Sequence, residues 1–121
     1  MKKLIVVLLL LLCGYAYAES VNEDSTAVLT MTFKDELGVA TQPNMAQVRI
    51  DDVLTGSQVR DWVDISPLSS TVNVMITDLE NAILKQNHNK EPKRVTVRFS
   101  YGAYKGKADY VYDVVNLNKI P

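Results

Sequence analysis

The chain has 121 residues, with 13 Lys and Arg against 14 Asp and Glu, one histidine and one cysteine. A formal charge near −1 offers no basic field, so neither nucleic acid nor an anionic membrane is expected as the main partner. One histidine and one cysteine cannot assemble a nitrogen–sulfur zinc or copper site, so no metal and no cofactor is expected.

The first eighteen residues read as a leader. Met1-Lys2-Lys3 is a short basic start, Leu4 to Leu12 is an unbroken apolar run, and Ala16-Tyr17-Ala18 puts small residues at −3 and −1 of a cut before Glu19. The run is far short of the roughly 20 residues a spanning helix needs. Residues 1–18 are therefore expected to be a cleaved export signal, leaving a periplasmic or extracellular protein with no stable membrane anchor. Cys13 opens an alternative, lipid attachment, but the bulky Leu12 before it departs from the small residue that lipoprotein leaders carry there. Cleavage removes Lys2, Lys3 and the single cysteine, so the mature chain has a formal charge of −3 and no internal disulfide. A chain of about 100 residues can bury a sufficient core without one.

Glu19 to Ser25 is polar and aperiodic and reads as a flexible segment. Residues 26–117 then alternate with period two, the pattern of half-buried strands. Ala27, Leu29, Met31 and Phe33 share one face, and Ala46, Val48 and Ile50 form a second inward set. Val59, Val63 and Ile65 form a third, with Trp62 either re-aimed inward by a bulge or packed on the outer face. Val72, Val74 and Ile76 follow. Asp78 is expected to cap one helical turn that turns Leu79, Ala82 and Ile83 to the core. Lys85 to Glu91 reads as an exposed polar loop. Val95, Val97, Phe99 and Tyr101 lead into a hairpin tip over Gly102 to Gly106, and Ala108, Tyr110, Tyr112 and Val114 complete the pair. Residues 118–121 read as an exposed tail.

Six to seven short strands with closely spaced turns and no long amphipathic helix predict an all-β fold, an antiparallel β-sandwich. The series VRIDDVLTGSQVRDWVDISPLSSTVNVMIT, ENAI, KRVTVRFSY and YVYDVVNL resembles small single-domain immunoglobulin-like or fibronectin-type-III-like proteins of tailed phages and their bacterial hosts. The resemblance implies an Ig-like sandwich without a catalytic site. The cysteine pair of antibody-type domains is missing, and an export signal is unexpected on a virion component.

No catalytic residues are expected. His88 sits in a polar loop with nothing to hold a tautomer, and Asp61 and Asp64 are three apart on one strand, which sends them to opposite faces. Asp51, Asp52, Asp78 and Glu80 could supply oxygen to calcium, but no ligand loop organises them, and solvated turn residues explain them better. Lys93, Arg94 and Arg98 are expected on an outer face, pairing across the hairpin with Asp109 and Asp113. Tyr104, Lys105 and Lys107 at the hairpin tip are the candidate binding residues, able to meet a protein or a surface glycan. The function these features point to is a non-enzymatic exported module for protein or surface binding, structural or accessory in the manner of phage and prophage proteins. The alternative is a periplasmic inhibitor or chaperone-like binder of one enzyme or subunit.

Overall fold

The computed structural model describes residues 4–12, 20–35 and 37–119, the first segment by its backbone alone. Cys13 and the Ala16-Tyr17-Ala18 cut site lie outside the described residues. Eight strands follow in order: β1 (Leu4–Leu12), β2 (Ser20–Asn22), β3 (Ala27–Asp35), β4 (Met45–Asp52), β5 (Gln58–Asp64), β6 (Thr71–Ile76), β7 (Lys90–Tyr101) and β8 (Tyr104–Val115). A single 3-10 turn, Leu117–Lys119, follows β8.

The strands form two sheets. One has the order β1-β3-β6, in which β3–β6 is the pair described with its side chains, and the other has the order β2-β8-β7-β4-β5. Every pairing is antiparallel except β2 with β8. The polar lead-in thus supplies a strand: Ser20–Asn22 runs beside Asp113–Val115 and buries Val21.

Period two places the core. Ala27, Leu29, Met31 and Phe33 are fully buried, and Ala46, Val48, Ile50, Val72, Val74, Ile76, Val95, Val97 and Phe99 join them from both sheets. Phe33 meets Phe99 edge to face, with ring centroids 5.6 Å apart, a geometry aromatic pairs prefer. The outer face of β3–β6 is polar, with Thr30 donating to Asn73 at 2.7 Å and Thr32 and Thr71 sharing a hydrogen bond.

Several side chains sit elsewhere than the alternation predicts. Val63 is 49 % exposed although it stands opposite the buried Val48, because β5 is the edge strand of its sheet and has no neighbour beyond it. Leu79 is 83 % exposed. The turn there is capped by Thr77, whose hydroxyl accepts from the Glu80 amide while the Glu80 carboxylate accepts from the Thr77 amide. This reciprocal pair closes a short turn and leaves no helical face for Leu79 to use.

Arg60 on β5 ties that turn to the neighbouring edge. Its Nε donates to Glu80 at 2.6 Å, its Nη2 bonds the second carboxylate oxygen, and Nη2 also reaches the Met75 carbonyl on β6 at 2.8 Å. One arginine therefore fastens an edge of the five-stranded sheet to an edge of the other. Burial would raise the Glu80 pKa, but the Arg60 bonds and the Thr77 amide outweigh it and hold the carboxyl below its usual range.

Candidate functional site

The β7–β8 turn sets the geometry of the site. Tyr101 and Tyr104 are directly paired, so the turn is two residues, Gly102-Ala103, and not the longer tip over Gly102 to Gly106. Gly102 has φ +59°, the value that the first position of a tight hairpin turn of this kind needs. The Asn44 side chain accepts from the Gly102 amide at 2.6 Å and pins the tip against β4.

This short turn fixes the register. It puts Arg98 opposite Lys107, Ser100 opposite Lys105, Arg94 opposite Val111 and Thr96 opposite Asp109. The arginines and aspartates of the hairpin are therefore not directly opposed. Arg98 and Lys107 are opposed in register instead, with the Arg98 guanidinium turned toward β4 and β5.

These cations surround a cleft. Arg98, Lys105 and Lys107 border a hollow of about 530 Å³ whose apolar surface comes from Met45, Phe99 and Gly106. Gly106 is opposite Phe99, and a Cβ there would come within 2.6 Å of the Phe99 ring, so only glycine lets the ring lie across the strand. A second hollow of about 350 Å³ also uses Met45 and continues past Asp64 and Leu68. Met45, 41 % exposed, lies between the two.

Arg98 is held in place on its outer face. Its Nε donates to Gln47 at 2.6 Å, Gln47 donates to Asp64 at 2.7 Å, and the guanidinium lies 4.0 Å from the centre of the Trp62 ring. Trp62 thus packs on the outer face, the second of the two placements its strand allowed. The stack and the amide orient the guanidinium while leaving its charge in place.

Of the candidate binding residues, Lys105 and Lys107 are exposed at this cleft, whereas Tyr104 is half-buried against the core. Tyr104 belongs to β8, since the strand resumes directly after the two-residue turn. The sequence reading missed Arg98 and Met45 as companions of the lysines. The signal that could have found them was the glycine at the first turn position, which predicts the two-residue turn and with it the register.

Lys93 is not an outer-face residue. It is fully buried, and its Nζ donates to Asp52 at 2.7 Å, to Glu91 at 2.9 Å and to the Ala82 carbonyl at 2.9 Å. Glu91, placed by the sequence in an exposed loop, is fully buried and accepts the amides of Leu84 and Lys85. Asp52 accepts the amide and hydroxyl of Thr55. Burial would push the Asp52 pKa up, but the hydrogen bonds from the Lys93 ammonium and the Thr55 amide outweigh it and hold the carboxyl at about 2. The arrangement joins β4, β7 and the Ala82–Lys85 segment. Each buried donor and acceptor of these side chains has a partner, so the cluster ties the three segments together.

A second buried polar contact links the Tyr112 hydroxyl to Asn81 at 2.6 Å. Burial and the nearby Glu80 charge raise the Tyr112 pKa, so the phenol remains a donor. Asn81 in turn donates to the Ser25 carbonyl.

The remaining carboxylates are dispersed. Asp51 binds Arg49, Asp61 accepts the Trp62 amide and Glu80 binds Arg60. Among the described residues no three His, Cys, Asp or Glu side chains group together in a way that could hold a metal ion. Comparison of the chain with protein-family models, with curated proteins and with solved structures returns no match.

Proposed function

We propose that the chain is an exported, Ig-like, non-enzymatic binding module whose contact surface is the cationic cleft beside the β7–β8 turn. The strand order supports the Ig-like reading. The run β8-β7-β4-β5 matches the G-F-C-C′ order of a variable-type sheet, and β3–β6 matches its B–E pair. The Phe33–Phe99 contact joins the two sheets, which antibody-type domains tie with a disulfide.

The observation that carries the binding reading is the pair Arg98 and Lys107, directly opposed, with Lys105 beside them and an apolar floor of Met45 and Phe99. An anion seated in the cleft would be held by the exposed ammonium groups while Met45 and Phe99 offer apolar contact. The ligand this fits is an acidic group next to an apolar surface, on a protein or a surface glycan.

The double substitution Lys105→Glu with Lys107→Glu tests it. Both side chains are exposed, so the fold is retained. Retention on a uronic-acid polysaccharide or an acidic peptide column is expected to fall about tenfold or more, and wild-type retention to weaken as salt rises. Retention that is unchanged by the charge reversal, or equalled by neutral dextran, refutes the assignment.

A second reading, a periplasmic binder of one enzyme or subunit, is favoured by one other observation, the pairing of β3 with the leader segment.

A further inference from the structure

The five-stranded sheet ends on β8 along most of one side. Among the described residues β2 is the one strand beyond it, and β2 covers only Asp113–Val115. On its other side β8 pairs with β7 without a break, from Tyr104 opposite Tyr101 to Val115 opposite Lys90. We infer that the outer edge of β8 pairs with the same edge of a second copy of this chain. The two strands run antiparallel about a two-fold axis at Ala108, so that two five-stranded sheets become one of ten strands. β1 lies in the other sheet, so the contact needs no segment to leave.

Backbone parity limits the registers such an edge can use. The two-residue turn closes on Tyr101 and Tyr104 as a hydrogen-bonded pair, and bonded and open pairs then alternate along the ladder. The even-numbered residues of β8 therefore turn their amides and carbonyls to β7. Lys105, Lys107, Asp109 and Val111 turn theirs to the outer edge. Val115 shows the same parity, since its carbonyl accepts the Glu23 amide at 2.9 Å just past β2. Two such edges bond only in registers that set odd positions against odd positions.

Charge then selects among those registers. The side chains of Lys105, Lys107, Asp109 and Val111 are all exposed. An axis at Gly106 sets Lys105 against Lys107, and an axis at Lys107 sets that lysine against itself. An axis at Asp109 sets two aspartates face to face. Like charges directly opposed are destabilising. An axis at Tyr110 needs the edge of Asp113, which β2 already takes. An axis at Ala108 sets Lys107 against Asp109 of the second copy, twice by symmetry, and Lys105 against Val111. It also brings the small Ala108 against itself, where the backbones of an open pair approach to about 4.5 Å.

Lysines along an edge repel most incoming strands. A foreign strand would have to bring an aspartate at the matching position, and a second copy always does. The pairing also places both cationic clefts on one face of the joined sheet, within reach of a single acidic polymer.

Sedimentation velocity of the purified protein tests the pairing. One strand from each copy makes a small interface, so a monomer–dimer equilibrium with a Kd of about 10–100 μM is expected. Asp109→Lys opposes two lysines at each end of the contact and should raise the Kd about tenfold or more. Adding Lys107→Asp to Asp109→Lys should restore the wild-type Kd. All these side chains are exposed, so the variants fold. With Cys13→Ser removing the one native thiol, Ala108→Cys should oxidise to a disulfide-linked dimer. Val111→Cys, which the axis places opposite Lys105, should not. A protein that stays monomeric throughout this range overturns the inference. So does a dimer indifferent to Asp109→Lys, or one that cross-links through Val111→Cys in preference to Ala108→Cys. The charge swap keeps this contact distinct from the cleft: it should restore the dimer while retention on an acidic column, which uses Lys107, falls.

Discussion

Replacing Lys93 by methionine is expected to destabilise the protein by about 3–5 kcal/mol, because it leaves two carboxylates buried without their ammonium. Asp52 and Glu91 are both fully buried, and each is within 3 Å of Lys93 Nζ. Urea unfolding at pH 7 measures the loss. Adding Asp52→Asn and Glu91→Gln to Lys93→Met should recover part of it, since the uncompensated charge, and not the missing volume, carries most of the cost.

The same cluster sets an acid limit. The folded Asp52 pKa lies at about 2, below the ordinary 3.8 of the unfolded chain. A depressed folded pKa contributes stability that is present above the unfolded value and lost as pH falls through the folded one. Stability contributed by Asp52 should therefore decline between about pH 4 and pH 2. In Lys93→Met that decline should vanish or reverse, because protonation then relieves an unpaired charge. A Tm series across this range, run on both proteins, checks the sign.

Replacing Phe33 by alanine is expected to cost about 3–5 kcal/mol, the range for removing a large aromatic side chain from a core. Phe33 is fully buried on β3 and reaches across the sandwich to Phe99, whose ring also floors the cationic cleft. The substitution takes away the edge-to-face partner as well as the volume. Chemical denaturation gives the magnitude. Weaker retention on an acidic column at temperatures where the variant is still folded would show that the cleft depends on the inter-sheet contact beneath it.

How far these features were legible in the sequence depends on what sets each residue. The inward faces of β3, β4, β6 and β7 follow from alternation alone, because a strand with one buried face must place apolar side chains at every second position. The all-β character follows from the same pattern. Lys93, Glu91, Asn81 and Asn116 were not legible as buried residues. Their burial is decided by partners far along the chain, such as Asp52 for Lys93 and Tyr112 for Asn81, and polarity by itself predicts exposure. Trp62 stayed ambiguous for a related reason: its face depends on register shifts in the β4–β5 ladder and on Arg98 two strands away. At the cleft, Lys105 and Lys107 stood out as a local cluster. Arg98 joined them only once the turn length was known.

The fastening of β5 to β6 by Arg60 makes the two flanks of the sandwich unequal. On that flank a side chain spans the gap, from β5 to the β6 carbonyl of Met75 and to Glu80. The opposite flank, where β1 lies beside β3, is closed by backbone pairing. The domain is thus built like a book whose spine is bound by a guanidinium and whose fore-edge is held by backbone hydrogen bonds.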